Sequence, residues 1–182
     1  MSVALIPIGA GADRHLQGVR AGVAAALRCP VAIAAERLEA EGFYDAGRGQ
    51  YWSTPMLEAL TGLRPQGSER VLGVAVVDLF VPVLTFVFGE ALLEGAAAVV
   101  SAHRLNPEVY GLPPDPQRLA ARVVKEAVHE LGHTYGLRHC RHPACVMRAS
   151  RAADDIDDKE TGFCPRCAAW LEQRGAPRAA VV

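Results

Sequence analysis

Residues 129–147 read HELGHTYGLRHCRHPACVM, and four histidines, two cysteines and one glutamate fall within these nineteen positions. Such crowding points to metal and raises the question of whether one ion or two is held. His139 stands directly beside Cys140, so one ion could take both or the chain could divide them between two sites. Upstream, PPDPQRLAARVVKEAVHELGHTYG (113–136) carries a clear helical signature. Asp115 is a cap, Pro116 the first helical residue, and Leu119, Val123, Ala127 and Leu131 form the core stripe with Val124 and Val128 beside it. Gly136 lies where a left-handed terminating residue belongs.

On that helix His129 and His133 are four apart, so both rings leave one face about one turn apart. Two imidazole nitrogens can then reach a single zinc ion. Glu130 is too close in sequence to the first ligand to chelate the same ion easily, and can instead hold a zinc-bound water. Gly136 turns the chain and brings His139 in as a third ligand. The string is H-E-x-x-H-x-x-G-x-x-H, three histidines with one coordination position open. Zinc lowers the pKa of bound water to about 7. Glu130 would take its proton during attack on a carbonyl and pass it to the departing amine. The residues propose metal-assisted amide hydrolysis.

Cys140, Cys145, Cys164 and Cys167 form C-x4-C and, after eighteen residues, C-x2-C. Two short-spaced pairs joined by a longer loop suit a closed tetrahedral thiolate site, which leaves no room for water and is structural. In a reducing compartment this reading is favoured over two disulfides. His142 in place of one thiolate is the less favoured alternative, since four cysteines already complete the shell. The fifth cysteine, Cys29, is expected to pack as a small apolar side chain.

Working outward, SVALIPIG (2–9) reads as a buried strand and Asp13 as the cap of a helix running to about Leu27. PVAIAAE (30–36) suits a second strand, with helix as the alternative. Thr54-Pro55 suggests a capped helix ending near Gly62. Strands are expected at Val71–Val77, Leu84–Phe88 and Ala96–Ser101, with Pro82 better suited to an edge. A short helix is expected at about 165–174. Strands alternating with helices indicate an α/β (α+β) layer architecture. We expect a single domain over 1–182, with a sheet-and-helix part to 136, a zinc-stapled part at 137–175 and a frayed tail at 176–182.

The chain has 182 residues, 51% of them hydrophobic and 21% charged, with a net charge of −1. That balance gives no electrostatic footprint for nucleic acid or anionic membrane. No uncharged stretch approaches the roughly 20 residues a spanning helix needs. The N-terminus lacks the basic region of a signal peptide, so a cytoplasmic location is expected. A monomer is expected as well. DDIDDKE (154–160) is expected to be a solvated face, without calcium-loop spacing. His15 and His103 are expected to be surface or satisfied core histidines.

The joined motifs, HELGHTYGLRHC–x4–C–V–M…CPRC, resemble the archaemetzincin family of metallopeptidases. GRGQYWSTPML, VAVVDLFVP, FVFGEA and VVSAHRL also look like family segments in order, so the resemblance covers nearly the whole chain. It implies His129, His133 and His139 as catalytic zinc ligands, Glu130 as general base, and Cys140, Cys145, Cys164 and Cys167 as ligands of a second, structural Zn²⁺. Met147 corresponds to the Met-turn methionine beneath the catalytic metal. The implied fold is a metzincin-like mixed twisted sheet with an antiparallel edge strand above the cleft, for which Leu84–Phe88 is the candidate. A peptide or protein substrate follows, with aminopeptidase-like activity in some members. The tyrosine that some metzincins place after the Met-turn methionine is Arg148 here, and Tyr135 is a poor substitute. Two other classes compete: a zinc-bound protein of low turnover that acts by binding peptides or partners, and a zinc-ribbon nucleic-acid binder, which the charge argues against.

Overall fold

The computed structural model describes residues 2–176 and 179–182. In chain order the elements are β1 (Val3–Ile8), α1 (Asp13–Leu27), β2 (Val31–Ile33), β3 (Tyr44–Asp45), β4 (Gln50–Trp52), α2 (Ser53–Leu63), β5 (Arg70–Ala75), β6 (Leu79–Phe80), β7 (Gly89–Ala91), β8 (Ala97–Ser101), α3 (Pro116–Thr134), α4 (Ala153–Asp157) and α5 (Pro165–Gln173). Five strands form the main sheet in the order β2-β1-β5-β8-β7, and β3-β4-β6 form a small second sheet. The first four strands of the main sheet are parallel, and β7 alone is antiparallel, with Gly89 opposite Val100 and Ala91 opposite Ala98. The expected mixed sheet with an antiparallel edge strand is present.

The apolar runs decide this arrangement. Strands β1 and β8 are buried along their whole length, and β5 from Val71 onward, as parallel strands covered on both faces must be. Helices α1 and α3 cover one face, where Leu16, Val19 and Val23 meet Val123, Ala127 and Leu131. Helix α2 covers the other with Met56, Leu57 and Leu60. Each such side chain taken out of water contributes roughly 1.5–3 kcal/mol. A side chain at Gly22 would run into Val124, so glycine there lets α1 and α3 approach closely.

Several expectations are corrected. The edge strand is Gly89–Ala91, whereas Leu84–Phe88 pairs only through an isolated bridge between Leu79 and Val87. PVAIAAE is a strand over Val31–Ile33 only. Helix α2 begins at Ser53, so Thr54 lies inside it, and its hydroxyl donates to the Glu90 carboxylate instead of capping. The DDIDDKE run is not simply solvated: Asp157 accepts from Arg118 and Arg122, and Lys159 is fully buried against Glu126 at 2.7 Å. The tail does not fray over its described end. Phe163 N–H donates to Ala180 O, Val182 N–H to Phe163 O, and Ala180 N–H to Ala26 O. Pro177 and Arg178 lie outside the described residues. Cys29 is buried as expected, and burial pushes its thiol up.

Candidate active site

Helix α3 delivers the first three residues of the motif. The Asp115 carboxylate accepts from Arg118 N–H at 2.9 Å, with Pro116 at the first helical position. At the other end Gly136 has φ +83°, its N–H donates to His133 O, and Leu137 N–H donates to Gly132 O. This pair of bonds is the Schellman stop, which requires the left-handed residue that glycine supplies. The same turn orients a ring. Leu137 O lies 2.6 Å from His133 Nδ1, and Val146 O lies 2.8 Å from His129 Nδ1.

Those carbonyls determine the tautomers. A carbonyl can only accept, so both Nδ1 atoms carry hydrogen and both Nε2 atoms present lone pairs. The two Nε2 atoms lie 3.1 Å apart. Burial pushes the His129 pKa well below its ordinary value, and that of His133 down as well, so a second proton on either ring is disfavoured. Two lone pairs facing at this distance repel unless a cation lies between them. Tetrahedral zinc with nitrogen ligands at 2.0–2.1 Å would separate them by about 3.3 Å. The exposed His139 closes the group, its ring centroid 5.3 Å from that of His129 and 5.1 Å from that of His133, and all three ligand atoms lie within 4.8 Å of one another. The donor set fits a metal ion.

Glu130 sits beside this group on a cleft of about 420 Å³. One wall of the cleft is the Leu84–Gly89 segment, and Ser150 and Arg151 form part of another. Burial raises the Glu130 pKa well above the usual carboxylate range, and the nearby Glu126 and Glu90 charges add to the effect. Gly89 is what allows the edge strand so close. A Cβ there would stand 2.5 Å from Val99 O and 2.7 Å from Glu130 Cγ. Beneath the histidines, a side chain at Gly132 would collide with Met147 Sδ, so the glycine of HELGH seats that methionine.

The four cysteines meet behind this floor, with their sulfurs within 4.8 Å of one another and every residue buried. Cys140 Sγ and Cys164 Sγ are 3.7 Å apart, far beyond a disulfide and close to the ~3.8 Å expected for two thiolates on one tetrahedral zinc. His142 N–H and the Arg166 guanidinium donate to Cys140 Sγ. Burial opposes ionisation of Cys140, yet these donors outweigh it and bring the thiol down to about 7. Cys145 and Cys167 are pushed up by burial and by neighbouring sulfurs, as crowded thiols are without a cation. His142 is not part of the set. The two clusters share their supports: Val146, next to Cys145, orients His129 through its carbonyl, and Cys140 N–H donates to Met147 O.

Sequence reasoning did not assign the polar frame that shapes the cleft wall. Arg48 donates to Leu84 O and Thr85 O, while Gln50 donates to Thr85 O and Asp78. Arg104 pairs with Asp78. Ser53 and Thr54 donate to Glu90 on β7 at 2.5 and 2.9 Å. All lie within or beside the quoted family-like segments, which carried the only signal. Tyr135 faces away from the histidines, packed under the Arg70 guanidinium.

Comparison with known proteins agrees with this geometry. The sequence profile described as peptidase family M54 matches residues 12–173. An archaemetzincin from Methanocaldococcus jannaschii is 46% identical over 132 residues, covering 72% of each chain. The solved zinc-dependent peptidase from Methanocorpusculum labreanum superposes with a TM-score of 0.84 at 31% identity, covering 93% of this chain and 99% of that one. Archaemetzincin from Methanopyrus kandleri gives 0.81 at 36% identity, over 96% and 94%. The chain therefore belongs to peptidase family M54, the archaemetzincin family, and is a zinc metallopeptidase acting on peptide or protein substrates.

Proposed function

We propose that His129, His133 and His139 hold a catalytic zinc ion, and that Glu130 is the general base of peptide-bond hydrolysis. We further propose that Cys140, Cys145, Cys164 and Cys167 hold a second, structural zinc that staples residues 137–175 to α3, giving two ions per chain. The observation that carries this reading is the pair of converging Nε2 lone pairs, 3.1 Å apart, beside a buried carboxylate on an open cleft.

Zinc, when bound, supplies Lewis-acid polarisation of the scissile carbonyl and acidifies a water molecule. The protein supplies the rest. The outer edge of β7 offers backbone hydrogen bonds to an extended peptide, and the 84–88 segment gives it an apolar wall. Glu130 receives the proton of the attacking water on a carboxylate oxygen and hands it to the departing amine. The apolar wall and the burial of Glu130 keep bulk water from competing for that proton. Met147 supports the floor under the rings.

For position of cleavage, the family resemblance suggests an aminopeptidase-like enzyme. The cleft favours cleavage within a chain, because Glu126, the other carboxylate lining it, is already paired with Lys159 and does not offer itself to a substrate ammonium group. The reading takes the enzyme as a cytoplasmic monomer without nucleic-acid or membrane partners. It is supported by the net charge of −1 and by five free cysteines, a usage suited to a reducing compartment.

The test is Glu130→Gln, assayed with an unbiased peptide library and with zinc measured on the same samples. We expect two zinc ions in wild type and variant alike, and a loss of roughly 10²–10⁴-fold in hydrolysis in the variant. Unchanged hydrolysis would remove Glu130 from the role. A wild type that holds zinc and binds peptides but cleaves none would favour the peptide-binding reading.

A further inference from the structure

On the other side of the histidines from Glu130, the groove continues into a second cavity of about 490 Å³ between the end of α3 and α5. A shallower depression lined by His133, His139, Arg138 and Leu93 joins it to the active site. Its charged residues are Arg138, Arg166, Arg174 and Glu94, and Trp170 and Leu93 give it apolar walls. Two of the three guanidinium groups are already engaged. Arg174 pairs with Glu94 and stacks on the Trp170 ring at 4.4 Å, while Arg166 donates to Cys140 Sγ. Arg138 is different. It is exposed, it lies between both cavities, and among the described residues it makes no hydrogen bond or ion pair.

We propose that this cavity is a carboxylate-binding subsite of the peptidase, anchored by Arg138, which selects substrates bearing an acidic group close to the scissile bond. The inference rests on the reading of the histidine site as the hydrolytic centre and adds a substrate class to it. An uncommitted guanidinium beside an apolar wall is the arrangement that receives a carboxylate, through paired N–H donors and through stacking of the side chain's methylene groups. Arg174 and Glu94 offset each other as an ion pair, which leaves Arg138 as the cavity's uncommitted positive charge. Because Arg138 immediately precedes His139, an extended peptide advancing about 3.3–3.6 Å per residue brings the acidic group within two residues of the bond cleaved. The carboxylate can come from an Asp or Glu side chain or from a free chain terminus.

The test uses zinc-loaded Glu130→Gln protein and pools of fluorescent, N-acetylated, C-amidated peptides that are neutral apart from one Glu, one Gln or one Lys. A fourth pool carries Gln and a free C-terminal carboxylate. Tighter binding of the Glu pool than the Gln pool by at least about fivefold, weakening as salt is raised, is the expected result. An equal gain confined to the free-terminus pool would identify the chain end as the source of the carboxylate. Adding Arg138→Gln should erase the preference, and adding Arg138→Glu should turn it toward Lys, with zinc content measured on each protein. Equal binding of all four pools overturns the subsite. Wild-type cleavage of the same pools keeps the two readings apart. Retained Glu preference without any cleavage sinks the peptidase reading alone, whereas cleavage indifferent to charge sinks only the subsite.

Discussion

His139 and Cys140 are consecutive, yet the clusters they belong to are built for opposite ends. The histidine group has one exposed ring, an open cleft in front and a carboxylate beside it. Every cysteine of the other group is buried, and backbone N–H groups are aimed at two of the sulfurs. Ligand number and access separate the roles we propose for them: three donors with an open side leave a place for reactants, and four donors in the interior leave none. The shared backbone between them means that each cluster also forms part of the other's support.

The comparison breaks most visibly when one ligand is removed from each side. Cys145→Ser should lose one zinc and destabilise the fold by several kcal/mol, lowering Tm on the order of 10 °C for a chain of this length. His133→Ala should also lose one zinc and abolish hydrolysis, but shift Tm by only a few degrees. Metal analysis and thermal unfolding on both variants check this. Equal losses of stability would show that the two sites are not divided into reactive and structural.

A second large effect is expected where neither cluster is touched. Lys159 is buried against Glu126, one helical turn before Glu130. Removing one partner of a buried pair costs about 3–5 kcal/mol when the other stays charged. Burial already raises the Glu126 pKa against the opposing pull of Lys159. Lys159→Met should raise it further above the unfolded value. A raised folded pKa contributes stability below that pKa and loses it as pH rises, so the variant's deficit should be greatest in alkali and shrink toward acid. Urea unfolding from pH 8 to 5 measures it. The double variant Glu126→Gln/Lys159→Met should recover most of the loss, and a deficit independent of pH would exclude this mechanism.

Much of this was legible in the sequence because it follows from local rules. The cap at Asp115, the stop at Gly136 and the i, i+4 histidines are all set within one helix, and the cysteine spacing is itself a ligand pattern. What was misread depends on distant partners. Leu84–Phe88 has strand composition, but Arg48 and Gln50 hold its carbonyls and its side chains line a cleft. The pairing passes instead to Gly89-Glu90-Ala91, which has poor strand propensity but a glycine where Glu130 and Val99 approach. Likewise, the acidic run looks solvated until the helix carrying Arg118, Arg122 and Glu126 is placed over it. The tail looks frayed until Phe163 offers it a strand edge.

A smaller effect probes the floor common to both clusters. Gly132→Ala adds a methyl group facing Met147 Sδ, with Phe163 behind it at 3.5 Å. Overpacking costs about 1–3 kcal/mol, and the better helix propensity of alanine returns at most about 1. A net loss of about 1–2 kcal/mol is expected, together with reduced hydrolysis at unchanged zinc content. An unchanged Tm would mean that Met147 moves freely and supports nothing.

The smallest effect concerns how the cysteine-bearing segment is tied to α3 away from either metal. Asp157 accepts from the buried Arg122 and from Arg118, and the Arg122 guanidinium holds its carboxyl below the usual range. A depressed folded pKa contributes stability above the unfolded value of about 3.9 and loses it as pH falls through the folded one. Asp157→Asn keeps an acceptor for Arg122 but removes the charge, for about 1 kcal/mol at pH 7. The difference between wild type and variant should therefore stay constant from pH 8 down to about 4 and narrow only below that. Thiolate protonation weakens metal binding in both proteins alike, so the difference isolates the carboxylate. If the gap closes already between pH 7 and 5, the group being protonated is not Asp157, and the tie between α4 and α3 is made by packing instead of charge.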